Sequence, residues 1–405
     1  MPSRTLVDEV ADWLMESALG QADMEALVSG CIERLGAAGL PFSRVQVAYS
    51  TLHPLFGSVI LTWERGSGIK IRSLSHVDAW GSEAWLNSPF YHMIEAKLPF
   101  LRRRITGDQA LLDFPVLKEF RDAGGADYLA YVAPFGGSGD KSDKSGILGS
   151  WLTDRENGFS DADIQALLRI QQRLAVACRI AIQQQTTENI VNAYLGRIPG
   201  RRVLDGSIRR GDGEDIHAVI WFCDLRQSSR LTVTLGREKY LVLLNGFLEC
   251  MAGAVMDNGG EVLRFIGDAA LAIFPIAEKT KTVCSVAEAC EAALAAVKDA
   301  LGRLGALNDE RLAVGEQPLD FGIALHVGEL MFGNIGSPER IEFTVIGTAA
   351  NEAARIEGLC KKLKIQVLVS AAFAGHYPGK LDTVGRHVLE GHEGTCELFT
   401  LRGGG

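Results

Sequence analysis

Hydrophobic and polar positions along the first part of the chain follow first a helical and then an alternating period. Apolar residues recur at helical spacing over residues 6–35, which predicts one or two helices. Runs rich in β-branched and aromatic residues then predict strands at 45–51, 58–63, 128–133 and 147–152, with a helix at 114–122. This order predicts a small α+β domain with one central antiparallel sheet. A Gly/Ser/Asp/Lys-rich stretch, 136–146, is predicted as a mobile hairpin connection.

A long helix is predicted after the cap sequence that begins at Ser160. Its apolar stripe has near-heptad spacing and consists of Ile164, Leu168, Ala175, Cys178 and Ile182. The helix either pairs with its twin in a dimer or packs on its own sheet, and the pattern leaves both possibilities open. We predict a first domain over residues 1–186, a helical linker and junction over 187–214, and a second domain over 215–405.

The second domain alternates predicted strands and helices. Helices are predicted at 237–256, 283–304 and 349–363, and strands at 217–222, 261–266, 269–274, 342–346 and 365–369. Residues 320–327 and 330–334 are predicted to form a hairpin around Gly328. The order predicts a ferredoxin-like sheet with helices on one face.

Two short apolar segments of this domain each deliver one aspartate. Asp224 follows the strand at 217–222, and Asp268 lies in a Gly-Asp reversal between two strands. A single aspartate in such a position is ordinary turn chemistry. Two of them together can hold divalent cations, because Mg²⁺ prefers carboxylate and phosphate oxygens. The pair therefore predicts a metal site for phosphoryl chemistry.

Composition narrows the class of protein and its partners. The chain is 47% hydrophobic and carries a net charge of −9, which disfavours nucleic acid and anionic membranes as partners. No apolar run is long enough to span a bilayer, so we expect a soluble, cytoplasmic protein. The eight cysteines include no Cys-x-x-Cys pair and are predicted to be reduced core residues. The triplet Arg102-Arg103-Arg104 is expected to be mostly a solvated charge run.

Five separated motifs occur in one order in the second half: Phe-Cys-Asp224-Leu-Arg226, Gly260-Glu-Val-Leu-Arg264-Phe-Ile-Gly-Asp268, His326-Val-Gly-Glu, Phe332-Gly-Asn-Ile-Gly336 and Phe343-Thr-Val-Ile-Gly-Thr348-Ala-Ala-Asn351-Glu-Ala-Ala-Arg355-Ile-Glu357. Together they resemble the class III nucleotidyl cyclase family over roughly residues 215–401. The resemblance implies that Asp224 and Asp268 bind two Mg²⁺ or Mn²⁺ ions.

The resemblance also assigns roles to residues of the third predicted helix. It implies that Asn351 orients the ribose and that Arg355 neutralises charge at the α-phosphate, and residues four apart share a helix face. The alternative is that Arg355 does not act on the phosphate and only forms an ion pair with a surface acid such as Glu352. Because family members draw the two residue sets of one site from two catalytic domains, the resemblance implies a homodimer with two sites.

The expected base-reading and phosphate-binding residues depart from the family pattern. The resemblance assigns Arg264 and Thr348 to the base, where adenylyl cyclases usually have Lys and then Asp or Thr, so ATP is favoured and GTP stays open. The phosphate-binding loop is predicted at Leu225, Arg226, Gln227, Ser228 and Ser229. The family commonly reads Arg-Gly-Phe-Thr here, and losing that glycine restricts the backbone if the position needs a positive φ.

The first domain resembles, more loosely, the GAF-like sensor domains that precede bacterial cyclase domains. His53, Trp63, Tyr91 and Trp151 are candidates for a sensor pocket that takes an unknown small-molecule or protein input. The alternative is that they fill the core or a dimer face. The leading hypothesis is a sensor-regulated adenylyl cyclase. A guanylyl cyclase and a nucleotide-binding regulatory protein without turnover are the alternatives.

Overall fold

The protein is described by a computed structural model over residues 4–20, 23–136, 145–276, 285–390 and 394–402. Contacts between residues divide the chain into two compact units, 1–190 and 191–405. The predicted domain boundaries at residues 186 and 215 stay predictions. The predicted mobile connection at 136–146 lies largely outside the described residues.

The first unit is built on a six-stranded antiparallel sheet with strand order β3-β2-β1-β6-β5-β4. The strands are β1 (Arg44–Ser50), β2 (Phe56–Glu64), β3 (Gly68–Ser75), β4 (Phe100–Arg104), β5 (Asp127–Pro134) and β6 (Gly146–Thr153). The helices are α1 (Arg4–Leu19), α2 (Met24–Ala37), α3 (His76–Gly81), α4 (Glu83–Leu86), α5 (Pro89–Glu95), α6 (Pro115–Asp122) and α7 (Asp161–Leu195). The α+β class with a central antiparallel sheet is confirmed.

Alternation along the strands gives this sheet two buried faces. Leu129, Tyr131 and Trp151 lie in one core cluster with residues of α1, α2 and α7. Tyr128 and its face neighbours lie in a second cluster with α5 and α6. The α7 residues Ala175, Cys178 and Ile182 belong to the first cluster, so the heptad stripe packs within its own unit.

The expectation that Arg102-Arg103-Arg104 is a solvated charge run is wrong for its first two members. Arg102 Nη2 lies 2.7 Å from an oxygen of Asp127, whose side chain is fully buried. Arg103 pairs with Asp113 at 2.8 Å. The partners are distant in sequence, so residue spacing alone gave no sign of them. A buried carboxylate needs such a partner, because its desolvation is otherwise costly.

The second unit contains an eight-stranded sheet with the order β13-β14-β12-β10-β7-β9-β8, and β11 pairs with β10. Its strands are β7 (Gly213–Leu225), β8 (Glu261–Ile266), β9 (Ala269–Pro275), β10 (Phe321–Ser337), β11 (Arg340–Ile346), β12 (Val367–Ser370), β13 (Leu381–Val388) and β14 (Thr395–Leu401). Its helices are α8 (Arg197–Leu204), α9 (Ser228–Leu235), α10 (Arg237–Asp257), α11 (Val286–Ala313), α12 (Thr348–Leu363) and α13 (Ala371–Ala374).

Helices cover both faces of this sheet, so the prediction of helices on one face only is wrong. The odd-numbered β7 residues Val219 and Trp221 pack with α10 and α11. The alternate residues Ala218 and Ile220 pack with Ala353 of α12 on the other face. A continuous run of apolar residues such as that of β7 is typical of a strand buried on both sides.

The predicted hairpin around Gly328 is also wrong, because β10 runs through this position as one strand. Its antiparallel register with β7 is unbroken there, with Gly328 opposite Ala218. A Cβ atom on Gly328 would lie 2.6 Å from the Cβ atom of Ala349 on α12. The glycine therefore permits close approach of the helix rather than a turn.

One helix in the described part of the chain, α10, is long and apolar enough to cross a membrane by length and composition alone. Its residues Phe247, Met251 and Val255 lie in the core of the second unit. Core helices of this kind meet the same length and hydropathy criteria, so the finding is weak evidence for a membrane span. The seven cysteines within the described residues are free thiols, and Cys284 lies outside them.

Helix α8 is anchored to β8 by one side chain. Gly196 adopts a φ of 88° and separates α7 from α8. The amide of Ile198, in the first turn of α8, donates to Glu261 Oε1 at 2.8 Å. Glu261 is the first residue of β8, so α8 is anchored to the strand that carries Arg264.

Candidate active site

Two neighbouring strands bring Asp224 and Asp268 together. Asp224 is the penultimate residue of β7 and lies opposite Ala269 of β9. Asp268 precedes Ala269 in a two-residue turn, because Ile266 pairs with Ala269 across the β8–β9 hairpin. Gly267 has a φ of 65° in this turn, as the first central position of a tight hairpin turn requires. The predicted reversal is confirmed.

The negative charge of Asp268 acts on the carboxyl group of Asp224. The pKa of Asp224 is raised, first by burial and then by the negative charge of Asp268, with a hydrogen bond between the two side chains acting in the same direction. Arg226 opposes these effects. Adjacent carboxylates repel each other unless a proton or a cation lies between them. The donor set is hard oxygen, which fits Mg²⁺ or Mn²⁺.

The loop after Asp224 turns the chain from β7 into α9. Leu225 is buried, and Ser228 and Ser229 form the first turn of α9. Between them Gln227 has a φ of 58° and a ψ of 25°, in the left-handed region. Its Oε1 accepts a hydrogen bond from Arg230 Nη1 at 3.2 Å. The position at which the family commonly has glycine therefore does adopt a positive φ in this chain.

The side chain of Arg226 turns inward, toward α12. Its Nη2 lies 2.6 Å from Glu357 Oε1, and both side chains are largely buried. The pKa of Glu357 is raised to about 7, chiefly by burial; Arg226 opposes this, and Asp224 and Asp268 add to it. A Cβ atom on Gly322, opposite Asp224 on β10, would come within 2.1 Å of Arg226 Nη2 and 2.2 Å of Glu357 Oε1. The glycine thus leaves the space that the ion pair occupies.

Helix α12 presents the residues expected to act on the transition state. Thr348, Asn351 and Arg355 are exposed, whereas Ala353 and Ile356 are buried. Within the described ranges Arg355 has no ion-pair partner. The alternative pairing of Arg355 with Glu352 is not seen, since the carboxylate of Glu352 instead approaches His326 Nε2 at 3.8 Å.

Arg264, the expected base-reading residue, forms an ion pair with Glu342, which the sequence analysis did not identify as a site residue. Arg264 Nη1 lies 2.9 Å from Glu342 Oε1 on β11. A register shift between Val262 and Arg264 marks a bulge in β8, and bulges commonly redirect side chains beside functional sites. The guanidinium of Arg264 therefore forms an ion pair with the carboxylate of Glu342.

Glu357 and Glu342 were both missed as site residues. Glu357 belongs to the last family motif, but the motif assigns it no role. The signal that could have found it is its spacing: it lies two residues after Arg355 and therefore on a different side of the helix. Glu342 gave no such signal, because its pairing with Arg264 joins residues 78 positions apart in sequence.

Of the four candidate sensor residues, Trp63 and Trp151 lie near each other, and Tyr91 and His53 lie elsewhere. Trp63 and Trp151 both lie opposite Val45, on strands that flank β1. Tyr91 packs edge-on to Trp85, on the side of the sheet that carries α5. His53 lies between β1 and β2 and stacks on Phe56. Trp63 and Trp151 join one core cluster, as the core-filling alternative anticipates.

Comparison with known proteins defines the class of the second unit. Residues 214–403 match the family described as "Adenylate and Guanylate cyclase catalytic domain". An adenylate cyclase of Anabaena cylindrica is 33% identical over 235 residues, which are 55% of this chain and 44% of that protein. An uncharacterized protein of Mycobacterium tuberculosis is 32% identical over 184 residues, 45% of this chain and 30% of that protein. The chain thus spans less than half the length of these curated relatives.

Solved structures of cyclases resemble part of the chain. The adenylyl cyclase CyaB from P. aeruginosa has a TM-score of 0.42 and 20% identity, over 46% of this chain and 94% of that one. A bacterial light-regulated adenylyl cyclase has a TM-score of 0.40 and 26% identity, over 47% and 92%. On the family match and the Anabaena relative, the second unit is a nucleotidyl cyclase catalytic domain. The match covers 190 of the 405 residues, so the family assignment concerns residues 214–403 alone.

Proposed function

We propose that the chain is a sensor-regulated, cytoplasmic adenylyl cyclase, which converts ATP to 3′,5′-cyclic AMP and pyrophosphate. The observation that carries this proposal is the placement of Asp224 opposite Ala269, next to Asp268, in a chain that also presents Asn351 and Arg355 outward from α12. Class III cyclases generally use divalent metals. Two carboxylates and two exposed polar groups are the parts that such chemistry needs.

Each residue has one task in the proposed reaction. Asp224 and Asp268 would hold two Mg²⁺ or Mn²⁺ ions, which in such sites neutralise the triphosphate and make a bound hydroxyl more acidic. Backbone amides at the start of α9 bind the β- and γ-phosphates, since a helix N-terminus favours anions. Asn351 orients the ribose. Arg355 neutralises charge that develops at the α-phosphate, which its permanently charged, planar guanidinium suits.

The reaction is an intramolecular in-line displacement. The 3′-oxygen attacks the α-phosphorus, the bond from that phosphorus to the bridging oxygen breaks, and pyrophosphate leaves. The hydroxyl proton is lost to solvent or to a phosphate oxygen. Positioning and charge neutralisation supply the catalysis, and no covalent enzyme intermediate is required.

The proposed active form is a homodimer with two equivalent sites. Arg355 has no ion-pair partner within the described part of the chain, which supports a partner from outside it. Met331, Ile335 and Ile346 are exposed on one face of the β10–β11 hairpin, where Glu342 also lies. An exposed apolar face of this kind suits a contact between two copies. In each site one protomer supplies the metals and phosphate loop, and the other supplies α12 and the base-reading residues.

ATP is the proposed substrate. GTP is a second candidate, which the contact between Arg264 and Glu342 favours. Arg264 donates to a ring nitrogen of adenine, and Thr348 accepts from the exocyclic amine. The Arg264–Glu342 pair, however, offers a donor and an acceptor side by side. Guanine presents the complementary order, with O6 as acceptor next to N–H donors, so GTP also fits this pair.

The proposed sensor is the amino-terminal, GAF-like domain, with an unknown small-molecule or protein input. Its last helix, α7, leads through Gly196 into α8, which Glu261 anchors to β8. A shift of α8 would therefore act on the strand that carries Arg264 and leads to Asp268. This connection supports regulation of the catalytic residues through α7.

The test is product formation by the purified full chain with ATP and with GTP, in Mg²⁺ and in Mn²⁺. We expect cyclic AMP, and Asp268→Ala should lower its formation about a hundredfold or more. The matched control is Asp382→Ala, an exposed aspartate on β13, which should keep full activity. Preferential cyclic GMP formation would favour the second candidate. Nucleotide binding without turnover of either triphosphate would refute the cyclase proposal and leave the regulatory alternative.

A further inference from the structure

Glu357 and Arg355 lie two residues apart on α12 but point in different directions. Arg355 is exposed, whereas the Glu357 side chain is 5% exposed and faces Arg226 within the same protomer. Arg226 also approaches the backbone oxygen of Glu357 at 3.4 Å. Two contacts from one guanidinium thus join the start of the phosphate loop to α12.

The two ends of this link differ in how firmly they are held. Helix α12 packs on the sheet through Ala353, Ile356 and Cys360. The loop has fewer constraints, since Gln227 and Ser229 are exposed and no side chain caps the first turn of α9. The backbone amide of Arg226 donates to the backbone carbonyl oxygen of Asp320 at 2.8 Å, which holds the start of the loop. The helix is therefore the anchor, and the loop is the part that the ion pair positions.

We propose that Glu357 is a positioning residue that acts through Arg226 on the loop after Asp224, so that Glu357 and Arg355 of one helix serve different active sites of the dimer. This inference rests on the proposed function. The loop belongs to the metal-binding half of a protomer, whereas Arg355 completes the site of the partner subunit. A change at Glu357 therefore affects the site to which its own protomer gives the metals.

The test uses heterodimers of two inactive full-length chains, one with Asp268→Ala and one with Arg355→Ala. Their mixture regains one intact site, built from the metal half of the Arg355→Ala chain and α12 of the Asp268→Ala chain. Glu357→Gln is then added to one chain at a time. We expect a loss of about tenfold to a hundredfold in kcat/KM when it is in the Arg355→Ala chain, because misplaced groups cost that much. In the Asp268→Ala chain it should have little effect.

A merely structural role would give another result. If Glu357 only stabilised α12, the substitution would harm the chain whose α12 enters the intact site, and this outcome would overturn the proposal. Equal losses in both chains, or no loss in either, would also overturn it. Gly322→Ala is the second variant, because its methyl group would push Arg226 and Glu357 apart without removing a charge. Gly322→Ala should also lower kcat/KM when it is in the Arg355→Ala chain and have little effect in the Asp268→Ala chain.

A binding measurement separates this inference from the proposed dimer chemistry. If the mixture of inactive chains regains no activity, the shared-site architecture fails. Calorimetric titration of the full chain with Mn²⁺ and inorganic tripolyphosphate then decides the role of the pair. Glu357→Gln should weaken binding about tenfold, and the control Asp382→Ala should not. Unchanged binding in Glu357→Gln would overturn the proposal.

Discussion

Gln227 carries a backbone conformation that costs free energy in any residue with a Cβ atom. Its φ of 58° lies in the left-handed region, where a non-glycine residue is disfavoured by about 1 kcal/mol or more. This strained residue lies in the phosphate-binding loop, between buried Leu225 and the first turn of α9. Strained residues of this kind cluster at functional sites.

Gln227→Gly should relieve this strain and raise both stability and turnover. We expect a gain of about 0.5 kcal/mol in the free energy of unfolding, since the added entropy of an unfolded glycine offsets part of the relief. The loop should also approach phosphate more closely, which should raise kcat or lower KM for the triphosphate. Thermal melts and steady-state kinetics measure the two effects.

Lys364 offers a matched control for Gln227. It ends α12 with the same φ of 58°, and glycine there should stabilise the chain to a similar degree. Because Lys364 is not a site residue, its substitution should leave the kinetics unchanged. Equal kinetic effects of Gln227→Gly and Lys364→Gly would contradict a specific role for the loop strain.

At the scale of elements, His326 joins three of them within the second unit. It is a buried residue of β10, its Nδ1 lies 3.0 Å from Ser370 Oγ at the end of β12, and Glu352 of α12 approaches its other nitrogen. Burial lowers the pKa of His326, and the charge of Glu352 opposes this only in part. The neutral imidazole is therefore the form that the fold favours.

This depressed pKa predicts how stability depends on pH. Below the unfolded value, near 6.5, the unfolded chain takes up a proton that the folded chain does not, so stability falls as pH falls through this window. The slope is at most about 1.4 kcal/mol per pH unit for one group. His326→Gln should flatten the pH dependence of urea unfolding between pH 6.5 and 5. His376→Gln, at an exposed histidine of the same unit, should not, and equal slopes in both variants would refute the assignment.

The elements that the sequence predicted well are those with strong local patterns. The strand before Asp224, the Gly267-Asp268 turn and the α12 helix all follow from apolar runs or turn chemistry near in sequence. The errors concern features set by distant contacts. Gly328 reads locally as a turn but serves the approach of α12, and the pairings of Arg226 and Arg264 join residues far apart in the chain.

At the scale of the whole molecule, the proposed chemistry needs two copies of the chain. Each protomer would provide half of two sites, so activity should depend on assembly. The exposed apolar face of the β10–β11 hairpin, with Met331, Ile335 and Ile346, is the proposed region of contact.

Ile335→Glu should therefore weaken the dimer and the activity together. A charge buried without a partner costs several kcal/mol, so we expect the dimer dissociation constant to rise about a hundredfold or more. Sedimentation velocity and activity per chain, followed over a dilution series, measure both effects. Val314→Glu is the control, at an exposed valine after α11, and should change neither. A fully active monomer of Ile335→Glu would contradict the shared-site proposal.

The gap at Gly322 also constrains how this family of sequences can change over time. With Arg226 and Glu357 both present, a methyl group at position 322 would overlap the pair. Alanine or a larger residue should therefore be accepted during evolution only after one of the two charged residues has been lost or shortened. Among natural relatives of this chain, position 322 and the two charged positions should vary together, and the order of replacement should begin with the ion pair.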